Sequence, residues 1–293
     1  MANITCFGEV LWDEFPEHKK IGGAPLNVAV RLKSFGNDVS MISRIGDDND
    51  GREILEFIKK NEINSGGIQI DEKLETGKVK VVLDEKGSAS YDIMFPRAWD
   101  TIQLESMSKE IVKSSDAFVF GSLIARNDVS KHTLYELLKT AKYKIFDVNL
   151  RAPYYTKEIL SYLMNQADFI KFNDDEIFEI SAMLGSKSSS LEDTIHFIAK
   201  HTNTKTICVT KGKHGAILFV DGKFYSNNGY HITVVDTVGA GDSFLASLIS
   251  KLLHNEDPQK SIDYACAVGA IVASKAGANP SISNEEIQQM MHA

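Results

Sequence analysis

Residues 239–244 read Gly239-Ala240-Gly241-Asp242-Ser243-Phe244, between the β-branched run Val234-Val235-Asp236-Thr237-Val238 and the helix-spaced apolar positions Leu245, Leu248, Ile249, Leu252 and Leu253. That order predicts a strand, a tight turn of small residues and the N-terminus of a helix. The first turn of a helix leaves backbone N–H groups unpaired at the positive end of the macrodipole, so residues 239–242 predict an anion site. Asp242 is out of place beside an anion, and needs either a capping role or a chemical one.

Other polar residues fall where strands should end. Asp147, Asn149 and Arg151 follow the run Lys144 to Val148 in alternation, which period-two geometry points to one side. Asn173 and Glu176 follow Phe169 to Lys171, and Thr210-Lys211-Gly212 follow Thr206 to Val209. In a parallel sheet these ends share one rim, where ligands of α/β proteins bind. Each alone also has an ordinary structural reading: Asn149 and Asn173 as helix caps, Arg151 as a surface charge, Glu176 as a partner of a helix dipole. Near the N-terminus, Gly22-Gly23 precede Ala24-Pro25-Leu26-Asn27, with Pro25 suited to a first helical turn. The glycine pair would let a ligand approach the backbone, and Asn27 offers a donor and acceptors; a plain turn and helix start is the alternative.

Several common chemistries are excluded by pattern. There is no GxxxxGK[ST] loop, the GxGxxG fingerprint fails because its third glycine falls at Phe244, and neither HExxH nor GxSxG occurs. The eight histidines show no metal-ligand spacing.

The elements that must position these residues alternate. Strands are predicted at Ile4 to Val10, Val39 to Ile45, Ala117 to Phe120, Lys144 to Val148, Phe169 to Lys171 and Thr206 to Thr210, with a terminal hairpin at 216–226. Helices are predicted at Leu26 to Phe35, Gly51 to Glu62, Val129 to Ala141, Lys157 to Asn165, Asp174 to Leu184, Leu191 to Lys200, Pro258 to Ser274 and Asn284 to Met291. The exception is a hairpin of Gly77 to Leu83 and Ser88 to Phe95 around Asp84-Glu85-Lys86-Gly87. It interrupts the β/α order, so it should stand outside the sheet as a lid built from segments near 12–22 and 77–97. Exposed sheets recruit partners, and a homodimer through the lid follows as an expectation. The whole chain, 1–293, reads as one α/β domain around a mainly parallel sheet flanked by helices.

Composition agrees with a soluble globular protein. A net charge of -8 without any Lys/Arg run argues against nucleic acid or a membrane surface as partner, so any anion must be held locally. The widely spaced Cys6, Cys208 and Cys266 read as buried thiols of a reducing compartment, and no secretory signal is apparent; a cytoplasmic location is expected.

Gly22-Gly23-Ala24-Pro25-x-Asn27-x-Ala29 and Asp236-Thr237-x-Gly239-Ala240-Gly241-Asp242-Ser243-Phe244 resemble the two signatures of the ribokinase-like (PfkB) sugar kinases, and the resemblance covers nearly the whole chain. Gly8-Glu9-Val10-Leu11-x-Asp13 and Asp147-x-Asn149-x-Arg151 look most like the fructokinase branch; a ribokinase would differ at Glu9. The resemblance implies a three-layer ribokinase-like fold with a small β-sheet lid, and transfer of the γ-phosphate of ATP to a sugar hydroxymethyl group. Asp242, ionised with an ordinary pKa of about 4, would be the base. The N–H groups of Ala240, Gly241 and Asp242 would form the anion hole, with Arg151 an added cation. Asp13, Gly22, Gly23 and Asn27 would grip the sugar, with Arg97 or Trp99 contributed by the lid. Thr210, Lys211, Gly212 and Gly215 would hold the nucleotide, and Asn173 and Glu176 would hold Mg²⁺ mainly through water. A monovalent cation such as K⁺ would lie near Asp236, Val238, Ala273 and Ala276. The rival readings are a kinase for 2-keto-3-deoxygluconate, ribose or a nucleoside, a sugar sensor that has lost catalysis, and an α/β domain whose Gly-rich turn is only a turn.

Overall fold

The computed structural model describes residues 1–83 and 89–292; the predicted hairpin turn at 84–87 lies outside them. Strand β1 (Asn3–Phe7) is followed by β2 (Leu11–Glu14) and β3 (Lys19–Gly22), then helix α1 (Ala24–Ser34). The α/β alternation continues through β4 (Asp38–Gly46), α2 (Asn49–Lys60) and β5 (Asn64–Asp71). Next come β6 (Gly77–Leu83), β7 (Ala89–Ile93), α3 (Ser106–Ser114), β8 (Ala117–Gly121), α4 (Asp128–Leu138), β9 (Lys144–Asp147), α5 (Lys157–Gln166) and β10 (Phe169–Asn173). The chain finishes with α6 (Asp174–Met183), α7 (Leu191–Thr202), β11 (Thr206–Thr210), β12 (Ala216–Val220), β13 (Lys223–Asn227), α8 (Ala240–Leu253), α9 (Pro258–Ala273) and α10 (Asn284–Met291).

The described residues form a 9-stranded sheet in the order β13-β12-β11-β10-β9-β8-β1-β4-β5, parallel except for the antiparallel pairs made by β12. Strand order reverses at β1: the chain runs outward through β4 and β5, then returns to β8 and runs the other way. A crevice opens at the carboxyl ends of strands at such a switch point. A separate 4-stranded sheet, β3-β2-β6-β7, forms from the segments in which the lid is expected.

The strands are apolar on both faces because both are covered. Along β8, Phe118 and Phe120 face α4 to α7, while Ala117 and Val119 face α1, α2 and α8. On the first face, aromatic rings run across neighbouring strands, Phe7 to Phe118 at 5.9 Å and Phe120 to Phe146 at 5.2 Å between centroids. Such pairs add about 0.5–1.5 kcal/mol each beyond burial. Leu11, Val79 and Ile93 of the smaller sheet pack into this same cluster.

Three expectations need correction. Val234 to Val238 form no strand: the segment is irregular, Val234 and Val235 are 58% and 62% exposed, and the N–H groups of Val235 and Asp236 both go to the carbonyl of Ala273. β-branched residues make a strand only where a neighbouring edge pairs with them. Strand β5 and helix α3 were not foreseen: β5 carries Gly66-Gly67 inside an edge strand, and α3 is short and polar. Strand β1 stops at Phe7, and Leu11–Glu14 crosses into the lid as β2.

Candidate active site

Helix α8 begins at Gly239, whose φ of 76° is left-handed and whose missing Cβ would collide with the backbone of Ala278. Only glycine meets both demands. Ala240 N–H is used within the turn, donating to Thr237 O at 3.2 Å. The N–H groups of Gly241 and Asp242 have no protein acceptor among the described residues, so the anion hole is narrower by one donor than expected.

Asp242 Oδ2 accepts a hydrogen bond from Asn27 Nδ2 at 2.8 Å, and Asn27 Oδ1 accepts from Asn279 Nδ2 at 3.1 Å. Asn27 therefore aims the carboxylate, and Asn279, with no counterpart in the sequence reading, aims Asn27. Asp242 does not keep an ordinary pKa: burial, then the Asp147 charge, push it up to about 6 against the pull of Asn27, Lys171 and Arg151.

The rim forms as the parallel register requires. Asn173 pairs with Thr210, and Lys171 with Asp147. Lys171 Nζ donates to Asp147 Oδ1 at 2.8 Å in a buried ion pair. Burial works against this ammonium, but Asp147, Glu176 and Asp242 hold it charged. Asp147, Asn149 and Arg151 do not share one side, because β9 ends at Asp147 and Asn149 takes a left-handed φ of 39°. Arg151 is exposed, and its charge partly opposes the burial that raises the pKa values of Glu9, Asp13 and Asp242. Asn173 and Glu176 form a capping box: Asn173 Oδ1 accepts from Glu176 N and Glu176 Oε2 from Asn173 N, each at 2.8 Å. Glu176 Oε1 accepts from Leu150 N at 2.8 Å. Burial raises the Glu176 pKa. The helix cap anticipated at Asn173 is thus present, and Glu176, expected only as a dipole partner, completes the capping box and ties α6 to the loop after β9.

Beyond β11, Gly212 and Gly215 have φ of 54° and 76° in a short turn closed by Lys211 N–H to Gly215 O at 2.7 Å. The missing Cβ of Gly215 would strike the Asn227 carbonyl, so that turn also demands glycine.

On the other side of the crevice, Gly23 has a φ of 109° and lies against the Glu9 carbonyl, while Gly22 packs on the Asp13 carboxylate. Burial pushes Asp13 up to about 6. Glu9, 4% exposed, lines the crevice with Pro25, Ser122 and Asp147; its Oε2 has no partner among the described residues, and burial pushes its pKa up to about 7. Lys20 of the lid reaches Asp236 Oδ2 at 3.7 Å, linking lid to anion-hole loop.

One expected contact is corrected: Trp99 is 0% exposed in the core beneath the lid and offers no surface to a sugar. Arg97 donates to the Glu75 carboxylate and Met94 Sδ and keeps Nε without a partner among the described residues. Ala273 O already accepts two N–H donors, and Asp236 accepts from Val238 N and Gly277 N at 3.0 Å each. Of the four residues expected around a monovalent cation, Asp236, Val238 and Ala276 keep unclaimed main-chain carbonyls among the described residues.

A probable fructokinase of Arabidopsis thaliana is 29% identical, the match covering 98% of this chain and 92% of that protein. An uncharacterized sugar kinase from Pyrococcus horikoshii, solved in complex with ATP, superposes with a TM-score of 0.82 at 27% identity, over 94% of this chain and 93% of that one. A fructokinase double mutant from Vibrio cholerae, solved with fructose, ADP and potassium, gives 0.86 at 22% identity over 99% and 98% of the two chains, a likeness of fold alone. The family model described as pfkB family carbohydrate kinase matches residues 3–285. Both glycine signatures lie inside that match and meet across one crevice through the Asn27–Asp242 hydrogen bond, and the chain belongs to the pfkB family of carbohydrate kinases.

Proposed function

We propose that this kinase is an ATP-dependent fructokinase with Asp242 as its base. The observation that carries the reading is the Asn27-held carboxylate of Asp242 beside the two free N–H groups that open α8. The oxygen of the sugar hydroxymethyl attacks the γ-phosphorus, its proton passes to Asp242, and the bond to the bridging oxygen breaks to release ADP. A carboxylate is a weak base for an alcohol, so the proton moves late, as the attacking oxygen becomes acidic. Phosphoryl transfer depends mainly on position and charge, and the N–H groups of Gly241 and Asp242, with Arg151, supply a preorganised electropositive wall. Asp13, Gly22 and Gly23 flank the sugar, and the free oxygen of Glu9 gives it a further buried polar partner. The turn Thr210, Lys211, Gly212 and Gly215 borders the nucleotide.

Mg²⁺ would neutralise phosphate charge when bound with ATP. The residues fit a hold through water rather than a cage: no group of three metal-ligating acidic, Cys or His side chains occurs among the described residues, and both Glu176 oxygens already accept backbone N–H groups. The main-chain carbonyls of Asp236, Val238 and Ala276 are the remaining candidates for K⁺. Among the described residues the outer edges of β3 and β7 pair with no further strand, which supports a dimer through the lid. Buried, unpaired thiols at all three cysteines fit a cytoplasmic location, and no helix among the described residues is long and apolar enough to cross a membrane.

ADP release from ATP with fructose, ribose, 2-keto-3-deoxygluconate and a nucleoside, with and without K⁺, tests the assignment. Fructose is expected to give the highest kcat/KM, with a rate that rises with K⁺; a tenfold preference for another acceptor would remove the fructokinase reading, and light scattering at one chain's mass would remove the dimer.

A further inference from the structure

Lys171 is a cation in an improbable place. It stands in the middle of β10, 7% exposed, on the sheet face that carries α1 and α8, where its neighbour across the ladder is the fully buried Cys208. Its ammonium lies 3.9 Å from the position a Cβ on Gly241 would occupy, next to the first turn of α8. A positive charge beside the positive end of a helix dipole is repelled unless an anion comes between them. An ammonium also has three hydrogens to donate, and among the described residues Asp147 Oδ1 is its one hydrogen-bond partner. Two donors of a buried cation are therefore left over, beside two unclaimed N–H groups, on the rim that faces the transferred group. A pair built only to neutralise Asp147 would gain nothing from this location and would carry the desolvation cost of both ions.

We propose that Lys171 is a catalytic residue for phosphoryl transfer, donating hydrogen bonds from its two spare ammonium hydrogens to an oxygen of the γ-phosphoryl group as charge builds there, with Asp147 fixing the ammonium in place. This rests on the kinase reading of the same site. The ammonium keeps all three protons throughout; the sugar proton goes to Asp242 and the leaving electron pair to ADP. A cation held in place before the reaction stabilises the transition state more than the ground state, so its loss appears in kcat more than in KM.

The test separates this role from a structural one. Lys171→Met orphans the Asp147 carboxylate, whereas Lys171→Met combined with Asp147→Asn removes both charges and relieves the burial. The double variant is expected to melt near wild type, with fructose KM within about threefold and kcat more than about tenfold lower. Recovery of kcat to within tenfold of wild type would overturn the proposal. Lys171→Arg keeps Asp147 paired and supplies a second measurement should the double variant not fold. It should bind ADP as wild type does, yet lose affinity for ADP with aluminium fluoride and fructose, where the fluoroaluminate occupies the transferred group's position; unchanged affinity for both counts against the role. A wild-type enzyme that phosphorylates no sugar would overturn the kinase reading and this inference together, whereas an active wild type with an equally active double variant would overturn this inference alone.

Discussion

Asp242 carries two demands that conflict. As the proposed base it would have to stay charged, yet it is set among buried groups and near Asp147, which favour its protonated form. The surroundings compromise: Asn27, Lys171 and Arg151 pull the pKa down, burial and Asp147 push it up, and it settles at about 6. The sign of the effect on rate follows directly. Below about 6 Asp242 holds a proton and cannot accept another, so kcat/KM should fall as pH drops through about 6. Burial pushes Asp13 up to about 6 as well, so protonation of this residue beside the sugar should add to the same acid limb. A rate–pH profile that stays flat down to pH of about 5, with an acid limb near the ordinary carboxylate value of about 4, would contradict this electrostatic account.

At the scale of the element, the glycines of the second signature do different work. Gly239 turns the chain into α8 with a left-handed φ against the Ala278 backbone, whereas Gly241 has open space around it except for Lys171. Gly239→Ala should therefore cost about 1–3 kcal/mol in backbone strain, and more once Ala278 is displaced. Gly241→Ala should leave stability unchanged within about 0.5 kcal/mol. Thermal melts of the two variants check this, and equal melting temperatures would contradict it. The distinction was not visible in the sequence, where both glycines simply promise a tight turn. The alternating Asp147-x-Asn149-x-Arg151 misled for a related reason: period-two inference holds only while the strand continues, and β9 stops at its first member.

At the scale of the molecule, most of the architecture was legible because apolar strands and amphipathic helices alternate with clear punctuation, from β4 through β13 and on to α10. What failed depended on partners distant in sequence. Val234 to Val238 have strand composition but no neighbouring edge, and β5, with its internal glycines, is a strand only because β4 lies beside it. In the site, Asp242, Asn27 and the glycines announced themselves by type and spacing. Lys171 did not, since one lysine in Phe-Ile-Lys-Phe-Asn looks like an outward residue until the register sets it against Asp147. Asn279 carried no signal at all, and Trp99, a plausible lid contact by position, belongs to the base of the lid instead. On the proposed reading, a chain of net charge -8 would hold its anion through a few cations and free N–H groups gathered on one rim.

The central claim is that Asp242 is the base that takes the sugar proton. Steady-state turnover of Asp242→Asn with ATP and fructose tests it most directly, since the amide keeps the shape and removes the proton acceptor. The variant is expected to fold and to melt at or above the wild-type temperature, because a buried charge has been removed, with a kcat lower by about a thousandfold or more, in line with the loss of a positioned general base. A kcat within tenfold of wild type would contradict it.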